Sequence, residues 1–114
     1  MERITGLTGL LESQLGVKTH PEVNPLSNVV GVTATRIVPN NDNRVGLNFV
    51  NNGAFPAYIW TDNSVSSGVG FLVSNGGGFL GLDWRDDLSL VSNEWWAIGI
   101  GGATTINTLG LVTL

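Results

Sequence analysis

The chain has no cysteine, a single histidine and few charges. Without cysteine in its 114 residues, disulfide staples and cysteine-ligated zinc are excluded, and the redox compartment is left open. Charged residues make up 12% of the chain, about half the share of roughly 25% usual in soluble domains. Only five are basic, Arg3, Lys18, Arg36, Arg44 and Arg85, and they are scattered. No basic stripe exists to follow a phosphate backbone, so nucleic acid is not an expected partner. No apolar run approaches the ~20 residues needed to span a bilayer, and no membrane partner is expected. The opening, Met1-Glu2-Arg3-Ile4-Thr5-Gly6, lacks the charged start and continuous apolar region of a secretory signal. Synthesis in a cytoplasm is the expectation. The lone His20 sits beside Pro21 with no carboxylate or nucleophile near it in sequence, which argues against a Ser-His-Asp triad.

What is present instead is Gly, Asn, Ser and Thr, with 16 glycines in all and a net charge of −4. The length fits one domain with a single small core. A chain so poor in Lys and Glu has few residues to keep a large free surface soluble, which suits a domain partly covered by neighbours.

Arg36 to Trp60 sets the grammar of the chain. A strand ends at Pro39, and Asn40 to Asn43 form a polar turn. The next strand alternates, with Val45, Leu47 and Phe49 on one face and Arg44, Gly46 and Asn48 on the other. Asn51-Asn52-Gly53 turns the chain, and Ala57 to Thr61 is a further strand. From Asn28 onward the same pattern predicts eight or so short strands. Val29 to Val38 opens, its alternation slipping near Arg36 as at a bulge. Val69 to Val73 follows a polar loop, and Ser74 to Gly78 is a turn suited to positive φ. Phe79, Leu80 and Leu82 lead into a charged loop or edge, Asp83 to Asp87. Glu94 to Ile100 is a strong late strand, and Thr104 to Leu114 supplies one or two more. The expected fold is all-β, an antiparallel β-sandwich or jelly-roll-like barrel, because turn signals recur every 8–12 residues without a βαβ rhythm. The expected core is Val32, Val45, Leu47, Phe49, Ile59, Leu82, Trp96, Ile98 and Ile100.

Residues 1–28 depart from this grammar and are read as an N-terminal arm on a sandwich of residues 29–114. Leu7, Leu10, Leu11 and Leu15 fall at spacings of one helical face, although Gly6, Gly9 and Gly16 weaken a helix. The prolines of His20-Pro21-Glu22-Val23-Asn24-Pro25 favour an extended connector. Two readings are open: a leucine-rich terminus folded on its own domain, or an arm whose leucines dock on another subunit. The extended connector favours the second.

Few constellations suggest chemistry. Asp83, Asp86 and Asp87 form the only acidic cluster, but their spacing does not match a calcium loop and Arg85 interrupts them. The Gly76-Gly77-Gly78 and Gly99-Ile100-Gly101-Gly102 stretches lack the Lys-Ser or Lys-Thr of a phosphate loop and read as turns. Trp60, Trp84, Trp95 and Trp96 are the residues best suited to binding, by sugar stacking or as interface anchors. Adjacent Trp95 and Trp96 must face opposite sides of their strand. Trp96 shares a face with Ile98 and Ile100 and is expected inward, leaving Trp95, with Trp84, as an interface candidate beside the four leucines. No catalytic residue, metal ligand or cofactor site is expected.

Several segments resemble small β domains of tailed-bacteriophage structural proteins. They are Thr35-Arg36-Ile37-Val38-Pro39-Asn40, Asn43-Arg44-Val45, Val50-Asn51-Asn52-Gly53, Ala57-Tyr58-Ile59-Trp60, and later Asp83 and Glu94-Trp95-Trp96-Ala97-Ile98. The likeness covers roughly residues 33–114, and residues 1–28 match no motif. Short single-domain members with an N-terminal arm are similar to capsid decoration, or cement, proteins. The resemblance implies a non-enzymatic homotrimer on the outside of the virion that braces the major capsid protein. Other members belong to tails or fibres, which leaves an adhesion module binding host-surface carbohydrate as the alternative.

Overall fold

The long alternating strand after the Asn40–Asn43 turn is the spine of the molecule. The computed structural model describes residues 19–22 and 27–113. Within them run β1 (Thr19–Pro21), β2 (Ser27–Val30), β3 (Thr35–Val38), β4 (Arg44–Asn51), β5 (Ala57–Trp60), β6 (Phe71–Val73), β7 (Gly78–Asp83), β8 (Trp95–Gly99) and β9 (Thr104–Thr113). Between β7 and β8 the chain makes one α-helical turn, Trp84–Asp87, and a 3₁₀ turn, Leu88–Ser92. The first sheet is ordered β1-β9-β4-β7, with β2 pairing the other half of β9; the second is ordered β3-β8-β5-β6. Every pairing is antiparallel. The chain is an all-β antiparallel sandwich.

The alternation of β4 puts Leu47 and Phe49 inside, where they meet Val30, Ile59, Val73, Trp95, Ala97 and Ile106 from both sheets. The slip near Arg36 is a bulge against β8, between Arg36 and Val38. The Ser74–Gly78 turn places Gly76 and Gly77 at φ of 72° and 111°, a region open to glycine at little cost.

Other expectations are corrected. Val29 to Val38 is two strands in different sheets, and Val32, expected in the core, lies 61% exposed in the bend between them. Thr19–Pro21, inside the segment read as an arm, pairs with Thr113–Leu111 of β9. Asp83–Asp87 runs from the end of β7 into the helical turn. The face of β8 is the reverse of the expected one. Trp95, Ala97 and Gly99 point inward, while Trp96 and Ile98 are half-buried on the outside and Ile100 lies just past the strand. A Cβ at Gly99 would sit 2.3 Å from the Gly102 carbonyl oxygen and 3.2 Å from those of Val30 and Gly31, so the inward position at the end of β8 suits only glycine. Further along, the Trp95 indole packs inside against Phe49, ring centroids 5.6 Å apart.

A bulge between Arg44 and Gly46, where β4 meets β9, leaves Val45 half-buried as the extra residue and turns Arg44 inward. Arg44, expected on the outer face, is 2% exposed. Each of its five N–H groups has an acceptor. Nε and Nη2 donate to Glu22 Oε1 and Oε2, both at 2.8 Å; Nη1 donates to the Val91 and Asn93 carbonyls, and Nη2 also to that of Pro39. Asn41 Nδ2 donates to Glu22 Oε2 as well. The guanidinium thus ties the end of β1, the β3–β4 turn and the entry to β8. At the other end of β4 the buried Asn51 does the same work without charge. Its Nδ2 donates to the Phe55 and Val73 carbonyls, and its Oδ1 accepts from the Gly53 N–H and the Thr104 hydroxyl.

Candidate functional site

The positions expected to carry function do not converge. Leu7, Leu10, Leu11 and Leu15 lie outside the described residues. Trp95 is fully buried, its indole N–H donating to the Leu90 carbonyl at 3.1 Å; it has no surface to offer a partner, which corrects its place among the interface candidates. Trp84 is half-buried against the core on the helical turn, with the Arg85 guanidinium 5.9 Å from its ring centroid. Its indole nitrogen is buried with no hydrogen-bond partner among the described residues.

The carboxylates of Asp83 and Asp87 hold that turn in place. Asp87 Oδ2 accepts from the Asp83 N–H, and Asp83 Oδ1 from the Arg85 N–H, both at 2.8 Å. Asp62, exposed in the loop before β6, accepts from the hydroxyl and N–H of Ser64, and these bonds hold its carboxyl below its ordinary pKa. This pair also builds a turn. The His20 ring Nδ1 lies 2.9 Å from the Pro21 carbonyl oxygen, and no group of three His, Cys, Asp or Glu able to hold a metal occurs among the described residues.

The surface that stands out is the outer face of the first sheet. The register sets its rows. Phe79, Val50, Asn107 and Ser27 lie side by side across β7, β4, β9 and β2; next come Gly81, Asn48 and Leu109, then Asp83, Gly46, Leu111 and Pro21. Val29 beside Thr105 extends the face at its other end. Phe79 is 75%, Val29 74% and Leu109 50% exposed. Gly46 and Gly81 add no side chain, and between them and Leu109 and Leu111 runs a groove of ≈ 340 Å³. Among the outward residues of β4, β7 and β9, Asp83 at one rim is the one charge. Contiguous apolar surface framed by neutral polar residues marks a contact site.

Sequence reasoning missed this face, although a signal was present. β9 carries apolar residues in both phases, with Ile106 and Val112 inside and Leu109 and Leu111 outside. Apolar residues in both phases of one strand are the pattern of a sheet with apolar surface on its outer face as well as its inner one.

The outer face of the second sheet differs in kind. Register places Arg36, Trp96 and Trp60 in one row and Ile98, Tyr58 and Leu72 in the next. Trp96 Nε1 donates to Glu94 Oε2 at 2.6 Å, which fixes the indole, while the Trp60 ring leans on Phe71 at 5.6 Å. Arg36 is exposed and makes no ion pair among the described residues. Compared with family models, characterised proteins and solved structures, the chain matches none of them.

Proposed function

We propose that the protein is a non-enzymatic structural component of a phage virion, a decoration protein that assembles as a trimer on the capsid exterior and braces the major capsid protein. The observation that carries this reading is the largely apolar outer face of the first sheet, which in the trimer is a contact between copies of the chain. A body with a net charge of −4 that gathers exposed Phe79, Val29 and Leu109 on one face, with its acidic groups Asp83 and Asp87 at one end of the groove, has a surface suited to being covered. The fold lends support: two antiparallel layers, β2-β9-β4-β7 and β3-β8-β5-β6, are compatible with a double-sheet jelly roll, an architecture found among viral capsid and lectin domains. Fold-level likeness alone does not fix a function; the apolar face adds the site. Several modest contacts held together in a trimer would multiply in effect on a repeating lattice. The test is the copy number of the chain against the major capsid protein in purified particles, by quantitative mass spectrometry. A simple ratio implying hundreds of copies supports decoration. A handful of copies moves the protein to the tail, and absence from particles overturns the reading.

One observation favours a second reading, an adhesion module that binds host-surface carbohydrate. The Arg36–Trp96–Trp60 row sets aromatic rings beside charged groups that can bond sugar hydroxyls. Glycan-array binding that Trp96→Ala abolishes supports it, and an array on which the unmodified chain binds nothing removes it.

A further inference from the structure

We infer that the outer face of the first sheet receives residues 1–18 of a neighbouring copy, with Leu7, Leu10, Leu11 and Leu15 set on the Leu109–Phe79 face and its groove. The inference rests on the proposal that copies of the chain assemble, and it names which part of one copy meets which part of the next.

The first argument is direction. β1 pairs with Thr113–Leu111 and β2 with Asn107–Thr104, so the chain runs along the edge of β9 from its Thr113 end toward its Thr104 end. Leu109, Phe79 and Val29 lie toward the Thr104 end from Thr19. Thr19, where the described chain begins, thus stands at the Thr113 end, away from the apolar face of its own copy. Even as a helix, at about 1.5 Å per residue, eighteen residues span roughly 27 Å, more than the width of four strands at about 4.8 Å spacing.

The second argument is charge. Within residues 1–18, Glu2 and Glu12 balance Arg3 and Lys18, so the net charge of −4 belongs wholly to the rest of the chain. A neutral segment meeting a face whose groove is lined by Asp83 and Asp87 avoids the repulsion that two acidic bodies would otherwise meet. The third is pattern. Leucines at i, i+3, i+4 and i+8 are the anchors expected of a segment laid into an apolar groove, and Gly46 and Gly81 open such a groove beside Leu109. Asn48 Oδ1 lies 2.9 Å from where a Cβ at Gly81 would stand, so a side chain there would crowd the floor.

The absence of native cysteine makes disulfide mapping clean. Full-length chains carrying Leu11→Cys and Leu109→Cys on separate, differently tagged copies are co-expressed and mildly oxidised. The expected result is a mixed, reducible dimer in high yield, with much less when Leu109→Cys is replaced by Ser64→Cys on a remote loop. Leu15→Cys with Phe79→Cys is the second pair, so one badly placed position does not decide the outcome. Both substitutions in one chain should still give links between chains. Links confined within single chains, equal linking to Ser64→Cys, or no link from either pair would each overturn the inference. Its failure is separable from that of the virion reading. A chain present in particles at a lattice ratio without links loses only the arm contact, and a linked chain absent from particles loses only the virion.

Discussion

Arg44 shows how one residue in a strand can be placed by the backbone rather than by the strand's own pattern. Its charge is buried, but all five donors are used and the Glu22 carboxylate is held on two sides. Removing one partner of such a pair typically costs about 3–5 kcal/mol, a large part of the roughly 5–15 kcal/mol that stabilises a small domain. Arg44→Ala is therefore expected to lower the urea midpoint sharply. Arg44→Lys should recover only part of the loss, since an ammonium keeps the charge without the planar fork. Gly110→Ala should damage the same hub from the other side. A Cβ there would stand 2.2 Å from Glu22 Oε1, so its cost should not add to that of Glu22→Ala. Equal midpoints for Arg44→Ala and the unmodified chain would show that the network is ornamental to stability.

At the scale of the element, β8 is the sharpest test of what alternation can say. Its two faces read Trp95-Ala97-Gly99 and Trp96-Ile98, and the larger apolar set is the outer one. Trp95→Ala removes a fully buried ring and should cost about 3–5 kcal/mol. Trp96→Ala, at a half-buried outward position, should cost far less; denaturant unfolding of the two variants side by side checks the assignment. The sequence made β4 legible because Leu47 and Phe49 alternate with Gly46 and Asn48 past the bulge, with Val50 the apolar residue on the outer face. It hid the facing of β8, because apolar volume votes for the core only when the space inside is known. At Gly99 that space is limited by the Gly102 carbonyl in the adjoining turn and by the Val30 and Gly31 carbonyls from a distant part of the chain. Arg44 was misplaced for a related reason. A bulge shifts alternation by one residue, and nothing in Asn43-Arg44-Val45-Gly46 announces it. The outer face of the first sheet was legible in principle from β9, whose two apolar phases exceed what one core requires.

For the whole molecule, the question is what holds copies together, and salt can answer it. Each copy carries a net charge of −4, so two copies repel at long range, and the repulsion is screened once the Debye length falls well below its value of about 10 Å at 0.1 M. On the sheet side the charges at the groove are Asp83 and Asp87, and the arm's Glu2, Arg3, Glu12 and Lys18 sum to zero, so the proposed contact gains no net ion-pair attraction. Raising sodium chloride from about 0.05 to 0.5 M, which shortens the screening length roughly threefold, should therefore leave the association constant unchanged or raise it. Assembly through ion pairs would weaken over the same range. The apolar share can be read from Phe79, whose side chain is 75% exposed in the single copy. Burying such a ring is worth about 1.5–3 kcal/mol, so Phe79→Ser should weaken association by about ten- to a hundredfold, and by the same factor at both salt concentrations. Sedimentation equilibrium on the full chain measures both effects. A salt-weakened complex indifferent to Phe79→Ser would place the contact on a charged surface and away from the first sheet.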